Sequence, residues 1–319
     1  MNKPNSVFKK SVLQNYGQEI ILVCAIIILF IFVSQINIRF LGANNLITIF
    51  SGNAYIAIAA IGMSIIIITG NIDVSVGALI GVLATICGTL AVSGYPIWLV
   101  WLIPIIIGII INTGVGYLVA YARIPSIVVT LGMMSILRGG LISITGGDRI
   151  SGMPPEFFLA QQKLLNINMP IVFMVVLTFA MFFIMKNTEW GRSLYAIGGN
   201  PEAARNSGIS VEKGTVLAFA VHGLFAGIAT IMFATQLKII QSTVPPNLEL
   251  TVITSSVIGG VSIMGGTGTV IGSTLATILF AAIGSSLIFT NVSAYWLRAV
   301  MGIMILATVL ADMVRRRRL

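Results

Sequence analysis

The chain has 319 residues, of which 57% are hydrophobic and 8% are charged, with a net charge of +9 and a mean hydropathy of +1.03. Soluble domains carry roughly 25% charged residues, so this composition excludes a soluble globular enzyme of the same size. A transmembrane helix takes about 20 apolar residues, and a chain filled with such helices has little room for a second, water-soluble domain. We therefore predict an all-α, polytopic membrane protein.

Apolar runs bounded by polar residues, glycine or proline predict about ten transmembrane helices. In chain order the runs cover residues 20–38, 46–69, 74–92, 97–120, 126–145, 170–185, 215–237, 249–264, 270–289 and 294–311. No small-residue cleavage site follows the first run, so we interpret it as an uncleaved span and not as a signal peptide. The predicted divisions are an N-terminal tail over 1–19, a membrane domain over 20–312 and a basic tail over 313–319.

The distribution of basic residues predicts the orientation of the chain. With the N-terminus in the cytoplasm and ten alternating spans, twelve of the 18 Lys and Arg residues fall on the cytoplasmic side and four on the other side. Positive residues are enriched in short cytoplasmic loops, so we predict that both termini are cytoplasmic. The charges are spread thinly and form no basic face with interleaved aromatics, so they do not indicate a nucleic-acid partner.

Two glycine-containing segments suggest an internal repeat. Residues 69–77 and residues 264–272 each lie between two apolar runs. Both would lie at the cytoplasmic ends of spans that run in the same direction, as a parallel repeat requires. The alternative is that a general bias toward glycine produces the match.

The longest cytoplasmic loop, residues 186–214, contains the pattern of a short helix. Asn200 can cap it, Pro201 suits the first turn, Glu202 favours the positive end of the helix dipole, and Gly208 can terminate it. A helix of two turns is unstable alone, so we expect a partner surface to keep it ordered. The alternative is an ordinary solvated loop helix.

Three segments resemble one family of membrane proteins. Residues 199–209, GNPEAARNSGI, resemble the coupling loop of permeases in ATP-binding-cassette importers. Residues 71–77, NIDVSVG, resemble the signature of the simple-sugar branch, the ribose, xylose and galactoside type, and the glycine-rich residues 258–272 resemble that branch as well. The external loop 145–155 is similar to that of autoinducer-2 and deoxysugar permeases, such as those for rhamnose. The resemblance extends from about residue 40 to residue 312.

The resemblance implies a bacterial inner-membrane importer of two permease subunits, two ATPase subunits and a solute-binding protein. The second permease subunit would be another copy of this chain or a paralogue. The residues that would couple to the ATPase are Asn200, Pro201, Glu202, Ala203, Ala204 and Gly208. The chain has no phosphate-cradling G-x-x-x-x-G-K-[ST] motif, so we expect ATP and Mg²⁺ to bind the separate ATPase and this chain to bind no cofactor.

Polar residues within the apolar runs are candidates for a gate, a hinge or a solute path. A carboxylate in a bilayer is costly and is a functional candidate by default, yet Asp73 could instead cap the following helix; in either case the break could be a hinge. Candidates for the gate, hinge or path are Asn71, Asp73, Ser75, Gly77, Asn112, His222, Gly265 and Gly266. Asn53 and Gln236 are further polar candidates, although such side chains more often bond neighbouring helices.

Charged residues in and between the spans give further expectations. Arg138 lies inside a predicted span, so it must be paired or face water. His222 is the only histidine, which excludes a histidine-based metal cluster. An external loop carries the charged residues Asp148, Arg149, Glu156 and Lys163, which could meet a binding protein or could simply be solvated.

Two other classes of protein are alternatives to an importer permease. A secondary carrier or channel would use Asp73 and Asn71 as an ion site, but carriers usually hold more charged groups near the bilayer midplane. An intramembrane enzyme would need paired catalytic residues, and no such pair is evident. The sequence therefore predicts a transport subunit that moves a neutral, sugar-like solute.

Overall fold

A computed structural model of the chain describes residues 4–243, 245–293 and 295–316. Over these residues the protein is all-α and polytopic, as predicted. The helices, in chain order, are α1 Pro4–Ile36, α2 Ala43–Phe50, α3 Ala54–Ile68, α4 Val76–Val92, α5 Ile97–Ala120, α6 Ser126–Thr145, α7 Met169–Asn187, α8 Glu189–Gly199, α9 Pro201–Asn206, α10 Val211–Ala234, α11 Leu248–Ile258, α12 Val270–Phe289 and α13 Trp296–Arg316.

Short strands join loops at one end of the helical bundle. The strands in the described ranges are β1 Arg149–Ser151, β2 Lys163–Leu164, β3 Ile167–Asn168 and β4 Ile239–Gln241. β1 pairs antiparallel with β4, which places Ile150 opposite Ile240, and β2 pairs with β3. A Cβ atom built on Gly88 of α4 would lie 2.8 Å from the Ile240 side chain, so this glycine lets α4 approach the strand pair closely.

Seven helical segments among the described residues are long and apolar enough to cross a membrane, and three shorter apolar helices accompany them. Each predicted apolar run coincides with one of these segments. The differences lie at boundaries. Run 46–69 forms two helices, α2 and α3, separated by a turn, and α1 begins at Pro4, inside the predicted tail. α13 continues to Arg316 in the predicted basic tail, of which residues 317–319 lie outside the described ranges.

The prediction of a continuous helix over run 249–264 is wrong. α11 ends at Ile258, and residues 259–269 are irregular up to the start of α12. Gly260 adopts a left-handed φ of +95°, which ends the helix because glycine enters this region without steric cost. Gly259 packs its Cα on the main chain of Gly272 and Ser273, so the break brings α11 directly against α12.

α3 lies at the centre of the bundle. Every residue of α3 except Tyr55 is buried, which agrees with a helix that is apolar on all sides. α10, α11, α12 and α7 pack around it. On its outer side α10 also packs along α5, where Gly108 and Gly223 bring the two main chains together. Small residues permit such close approach between membrane helices.

The two segments predicted to form a repeat have the same local arrangement. Each contains a helix, a non-helical break and a second helix: α3, residues 69–75 and α4 in one, and α11, residues 259–269 and α12 in the other. The two breaks touch, since the amide of Gly266 donates to the carbonyl of Ile68 at 2.8 Å. A shared repeat origin stays a prediction.

Candidate functional site

The loop that contains the predicted coupling residues also holds a helix that the sequence interpretation missed. α8 begins after Thr188, whose hydroxyl accepts from the amide of Gly191 at 3.1 Å. Leu194 and Ile197 are buried and hold α8 against the bundle. The signal was present, because Trp190, Leu194 and Ile197 recur at helical spacing after a threonine that can cap.

The last residues of α8 pack against both helix breaks through glycine residues. We call this contact the glycine junction; its members are Gly70, Gly198, Gly199, Gly265 and Gly266. A Cβ atom built on Gly198 would overlap the carbonyl oxygen of Ile68 and would lie 2.6 Å from the amide nitrogen of Gly266. Both obstacles are main-chain atoms, so they cannot turn aside as a flexible side chain would. Position 198 therefore admits glycine alone without a shift of the helices.

Further contacts connect α8 and the two breaks. The Tyr195 hydroxyl donates to the carbonyl of Gly268 at 2.8 Å. Burial raises the pKa of Tyr195, so the hydroxyl stays protonated and remains a donor at neutral pH. A Cβ atom on Gly265 would lie 2.9 Å from the carbonyl oxygen of Gly198 and from the amide nitrogen of Gly70. The φ of Gly265, +82°, is also one that favours glycine.

The short helix predicted after Gly199 is present as α9. The Asn200 side-chain oxygen accepts from the amides of Glu202 and Ala203, both at 3.0 Å. At the other end Gly208 has a left-handed φ of +84°, and its amide donates to the carbonyl of Arg205. The amide of the next residue bonds back to residue 204, which completes a glycine-terminated Schellman motif. Both ends of α9 are thus stabilised by local hydrogen bonds.

The faces of α9 differ in exposure. Pro201, Glu202 and Ala203 are exposed, whereas Ala204 is buried against the chain's own core. Another protein can therefore reach the first three residues directly. Ala204 anchors the helix to this chain, and docking of the set on an ATPase stays a prediction.

An open cavity of about 470 Å³ separates α9 from the first helix break. Thr69 and Asn71 line one side of this cavity, and Ile197, Pro201 and Arg205 line the other. The Asn71 side-chain amide donates to the carbonyl and hydroxyl of Thr69, at 3.3 and 3.1 Å. The Asn71 side chain therefore bonds within its own segment and does not bind Asp73.

Asp73 lies in the same break but is fully buried. One carboxylate oxygen, Oδ1, accepts from the Ser75 amide at 2.7 Å and from the Ser75 hydroxyl at 2.6 Å. The other, Oδ2, lies 3.3 Å from Nε2 of His222 in α10, and both side chains are fully buried. Ser75 is itself the residue that precedes α4, so Asp73 binds the residue at the cap position and does not cap α4. Its role includes a link between the break and α10.

The break is also tied to α6. The amide of Ile72 donates to the Ser126 hydroxyl at 3.2 Å, and the Thr130 hydroxyl donates to the carbonyl of Ile72 at 3.5 Å. Residues 69–75 are thus held by α6 on one side and by α10 on the other. A movement of either helix would pull on this segment.

The remaining candidates lie in other parts of the bundle. Gly77, in the first turn of α4, packs under Glu249 of α11, whose carboxylate a Cβ atom at position 77 would overlap. Glu249 pairs with Arg138 of α6, with 3.6 Å between Oε1 and Nη2. Asn112 is fully buried in α5, and its side-chain amide has no hydrogen-bond partner among the described residues. The structure therefore does not bring all of the predicted residues into one site.

Two pairings between distant residues could not be identified from local patterns. Asp73 pairs with His222, and Arg138 pairs with Glu249. A useful signal was nevertheless available, because ionisable residues inside membrane helices almost always pair or face water. This rule predicts that each ionisable side chain has a partner or meets water, but it does not say which acid lies beside which base.

Comparison with known proteins identifies the family to which this chain belongs. The family model described as "Branched-chain amino acid transport system / permease component" matches residues 45–309. The chain belongs to this permease family. No solved structure matches the permease.

Several curated relatives of the permease carry the description autoinducer 2 import system permease protein LsrC. The relatives from Salmonella typhi and Photorhabdus laumondii are each 34% identical over 93% of this chain, covering 86% and 89% of their own lengths. The Escherichia coli relative is 32% identical over 93% of this chain and 87% of its own length. The prediction of an importer permease is therefore confirmed, and the permease is a multi-pass membrane transport subunit.

Proposed function

We propose that this permease moves a neutral sugar or sugar-like solute inward across the bacterial inner membrane by alternating access, driven by a separate ATPase. The descriptions of its relatives as autoinducer 2 import permeases support a polar organic solute. We place both termini in the cytoplasm, on the distribution of basic residues. In this orientation α8 and α9 face the cytoplasm, and the β1–β4 pair faces outward.

The observation that carries this proposal is the contact of Gly198 with the main chain of Ile68 and Gly266. α9 follows α8 directly, so a force on the exposed face of α9 acts on the end of α8. Because the junction has no flexible side chains between these main chains, a displacement of α8 reaches both helix breaks. The first break is held to α6 and α10, so the movement would reach these two helices as well.

The proposed assembly contains two ATPase subunits, a solute-binding protein and a second permease subunit, which is a copy of this chain or a paralogue. ATP and Mg²⁺ would bind the ATPase. The binding protein would approach the end that carries β1 and β4, where Asp148, Arg149, Glu156 and Lys163 are available for charged contacts. Most of the selectivity would then reside in the binding protein.

The alternative of an ion-driven carrier gains no specific support. Of the two groups that would form its ion site, Asn71 is bonded to Thr69, and one carboxylate oxygen of Asp73 is bonded to Ser75.

Charge reversal at the coupling helix tests the proposal. We expect Glu202→Lys and Gly208→Trp to leave the permease inserted in the membrane, to abolish solute uptake and to reduce co-purification of the ATPase. Glu156→Lys is the matched control for ATPase co-purification alone, because Glu156 is also exposed but lies at the opposite end of the bundle, where the binding protein is proposed to approach. Normal uptake by the Glu202→Lys variant, or uptake driven by an ion gradient without ATP, would refute the coupling proposal.

A further inference from the structure

An ion pair lies within the membrane-spanning part of the bundle but is not enclosed by it. Arg138 belongs to α6, one of the helices that can cross a membrane, and its side chain is 43% exposed. Its partner Glu249, in the first turn of α11, is 10% exposed. Ionisable side chains at membrane depth face the bundle interior or a water-filled cavity, because exposure to lipid is costly. The exposed side of this pair is therefore expected to meet water.

The pair also has unused hydrogen-bonding capacity. The distance of 3.6 Å between Arg138 Nη2 and Glu249 Oε1 is longer than a charged hydrogen bond. Glu249 Oε2 and Arg138 Nε are buried, and neither has a hydrogen-bond partner among the described residues. Such groups are costly to leave unpaired. Because these two atoms are buried, the acceptor and donor that remain for a solute are Glu249 Oε1 and Arg138 Nη2, which lie side by side at 3.6 Å.

The surface of α6 beside Arg138 is small and polar. Gly132, Ser135, Gly139 and Ser143 follow one another at helical spacing, and all four are exposed. A Cβ atom built on Gly132 or Gly139 would meet nothing within 4 Å. Elsewhere α6 exposes aliphatic side chains, and α7 exposes Val175, Val176, Phe179 and Phe183 as a lipid-facing helix would. The strip along α6 instead leaves room for water or a solute.

We propose that Arg138 and Glu249 form a solute-binding site on the wall of the translocation path, and that the site recognises neighbouring hydroxyl groups of a polyol. This inference rests on the proposed import of a sugar-like solute. Glu249 accepts from one hydroxyl group while Arg138 donates to the oxygen of the next. Because the two charges cancel, the site offers charged hydrogen bonds without favouring an anion or a cation. Arg138 and Glu249 still neutralise each other after the solute leaves, so the site also releases the solute readily.

Gly77 positions this site. The Glu249 carboxylate lies against the Cα of Gly77, and any side chain at position 77 would displace it. The glycine in the first turn of α4 therefore holds the acceptor close to Arg138. Gly77 touches no solute in this arrangement and acts through Glu249.

Cysteine accessibility tests whether the strip faces water. Cys24 and Cys87 are first replaced by serine in the complete importer, and Ser135→Cys is then treated with a charged, membrane-impermeant methanethiosulfonate. The matched control is Phe179→Cys on α7, whose native side chain is 62% exposed. We expect Ser135→Cys to react at least about tenfold faster than the control. Equal rates would place the strip in lipid and overturn the proposal.

Protection of the same cysteine tests the ligand class. We expect excess D-ribose to slow the labelling of Ser135→Cys and tetrahydrofuran, which has no hydroxyl groups, to have no effect. Glu249→Gln should raise the half-protecting D-ribose concentration about tenfold, the ordinary effect of losing one charged hydrogen bond. The double variant Arg138→Gln/Glu249→Gln, which buries no unpaired charge, should do the same if the single variant fails to fold.

Absence of protection by D-ribose, or unchanged protection in both variants, would overturn the binding site. Failure of the proposed function would appear differently, as loss of ATPase co-purification or as uptake without ATP. Both are measured on the unmodified importer without the thiol reagent. The two failures are therefore distinguishable.

Discussion

The Cα atom of Gly198 packs on the carbonyl oxygen of Ile68, at the point where that carbonyl accepts from the amide of Gly266. One hydrogen bond thus joins the last residue of α3 to the second helix break, and α8 packs on it. The three segments are far apart in the chain, yet no side chain separates them. This contact makes α8 a rigid connection between the exposed α9 and the centre of the bundle.

Adjacent glycines in α8 allow a matched test of that connection. Gly198→Ala overpacks the junction, and overpacking costs about 1–3 kcal/mol. We expect a loss of that size in the free energy of unfolding and a loss of ATP-driven uptake in proteoliposomes. Gly199→Ala is the control, because a Cβ atom at position 199 meets nothing within 4 Å. Equal uptake by the two variants would contradict a transmitting role for the junction.

The cap of α9 should determine how well the ATPase binds. Asn200→Ala removes the acceptor for the amides of Glu202 and Ala203, and loss of such a cap costs about 1 kcal/mol. If docking requires the folded helix, the affinity for the ATPase falls about fivefold. Asn200→Asp keeps a capping oxygen and should retain the affinity. Binding of the purified permease to the ATPase measures both, and equal losses would rule out capping as the cause.

The buried Asp73 should stabilise the fold far more than its neighbour Ser75. Asp73→Ala leaves the buried amide and hydroxyl of Ser75 without their acceptor, and each buried polar group left unpaired costs about 1–3 kcal/mol. Ser75→Ala removes only the hydroxyl, because the amide at position 75 still donates to Asp73, and should cost about 1 kcal/mol. Thermal unfolding in detergent compares the two. Similar shifts for both variants would show that the contact with His222 contributes little.

In the helix pair α5 and α10, alanine should be destabilising at one glycine position and tolerated at another. A Cβ atom on Gly223 would overlap the main chain of Gly108, so we expect Gly223→Ala to lower the free energy of unfolding by about 1–3 kcal/mol. Gly114 lies in the same helix pair but faces open space. Gly114→Ala should be neutral or stabilise the helix by up to about 1 kcal/mol. A lower melting temperature for Gly114→Ala than for Gly223→Ala would contradict this packing.

Hydropathy predicts the helices of this chain well, because a bilayer requires long apolar segments regardless of how they pack. The breaks are predicted less well. The sequence of run 249–264 stays apolar through Gly259 and Gly260, so hydropathy cannot register that the helix ends there. The helix ends where Gly260 takes a left-handed φ, and Gly259 packs on α12 at the same point, which is a tertiary contact. The glycine residues between the apolar runs did, however, indicate the segments that form both breaks.

The sequence predicts individual residues and the short helix of the candidate site, but not the contacts between residues far apart in the chain. Local capping rules predict α9, since the hydrogen bonds that cap its two ends lie within residues 200–209. The partners of Asp73 and Arg138 lie far along the chain, and no local pattern specifies them. The same holds for Gly198, whose importance comes entirely from the main chain of Ile68 and Gly266. Residues that act through long-range contacts require the structure.

The strand pair at the other end of the bundle has a mechanical consequence. β1 follows α6 and β4 follows α10, and the ladder from Arg149–Gln241 to Ser151–Ile239 fastens the ends of these helices to each other. When two helices are joined at one end, a change in the angle between them separates them most at the opposite end. The ladder therefore holds the C-terminal ends of α6 and α10 together, so a rotation between the two helices would displace their N-terminal ends most.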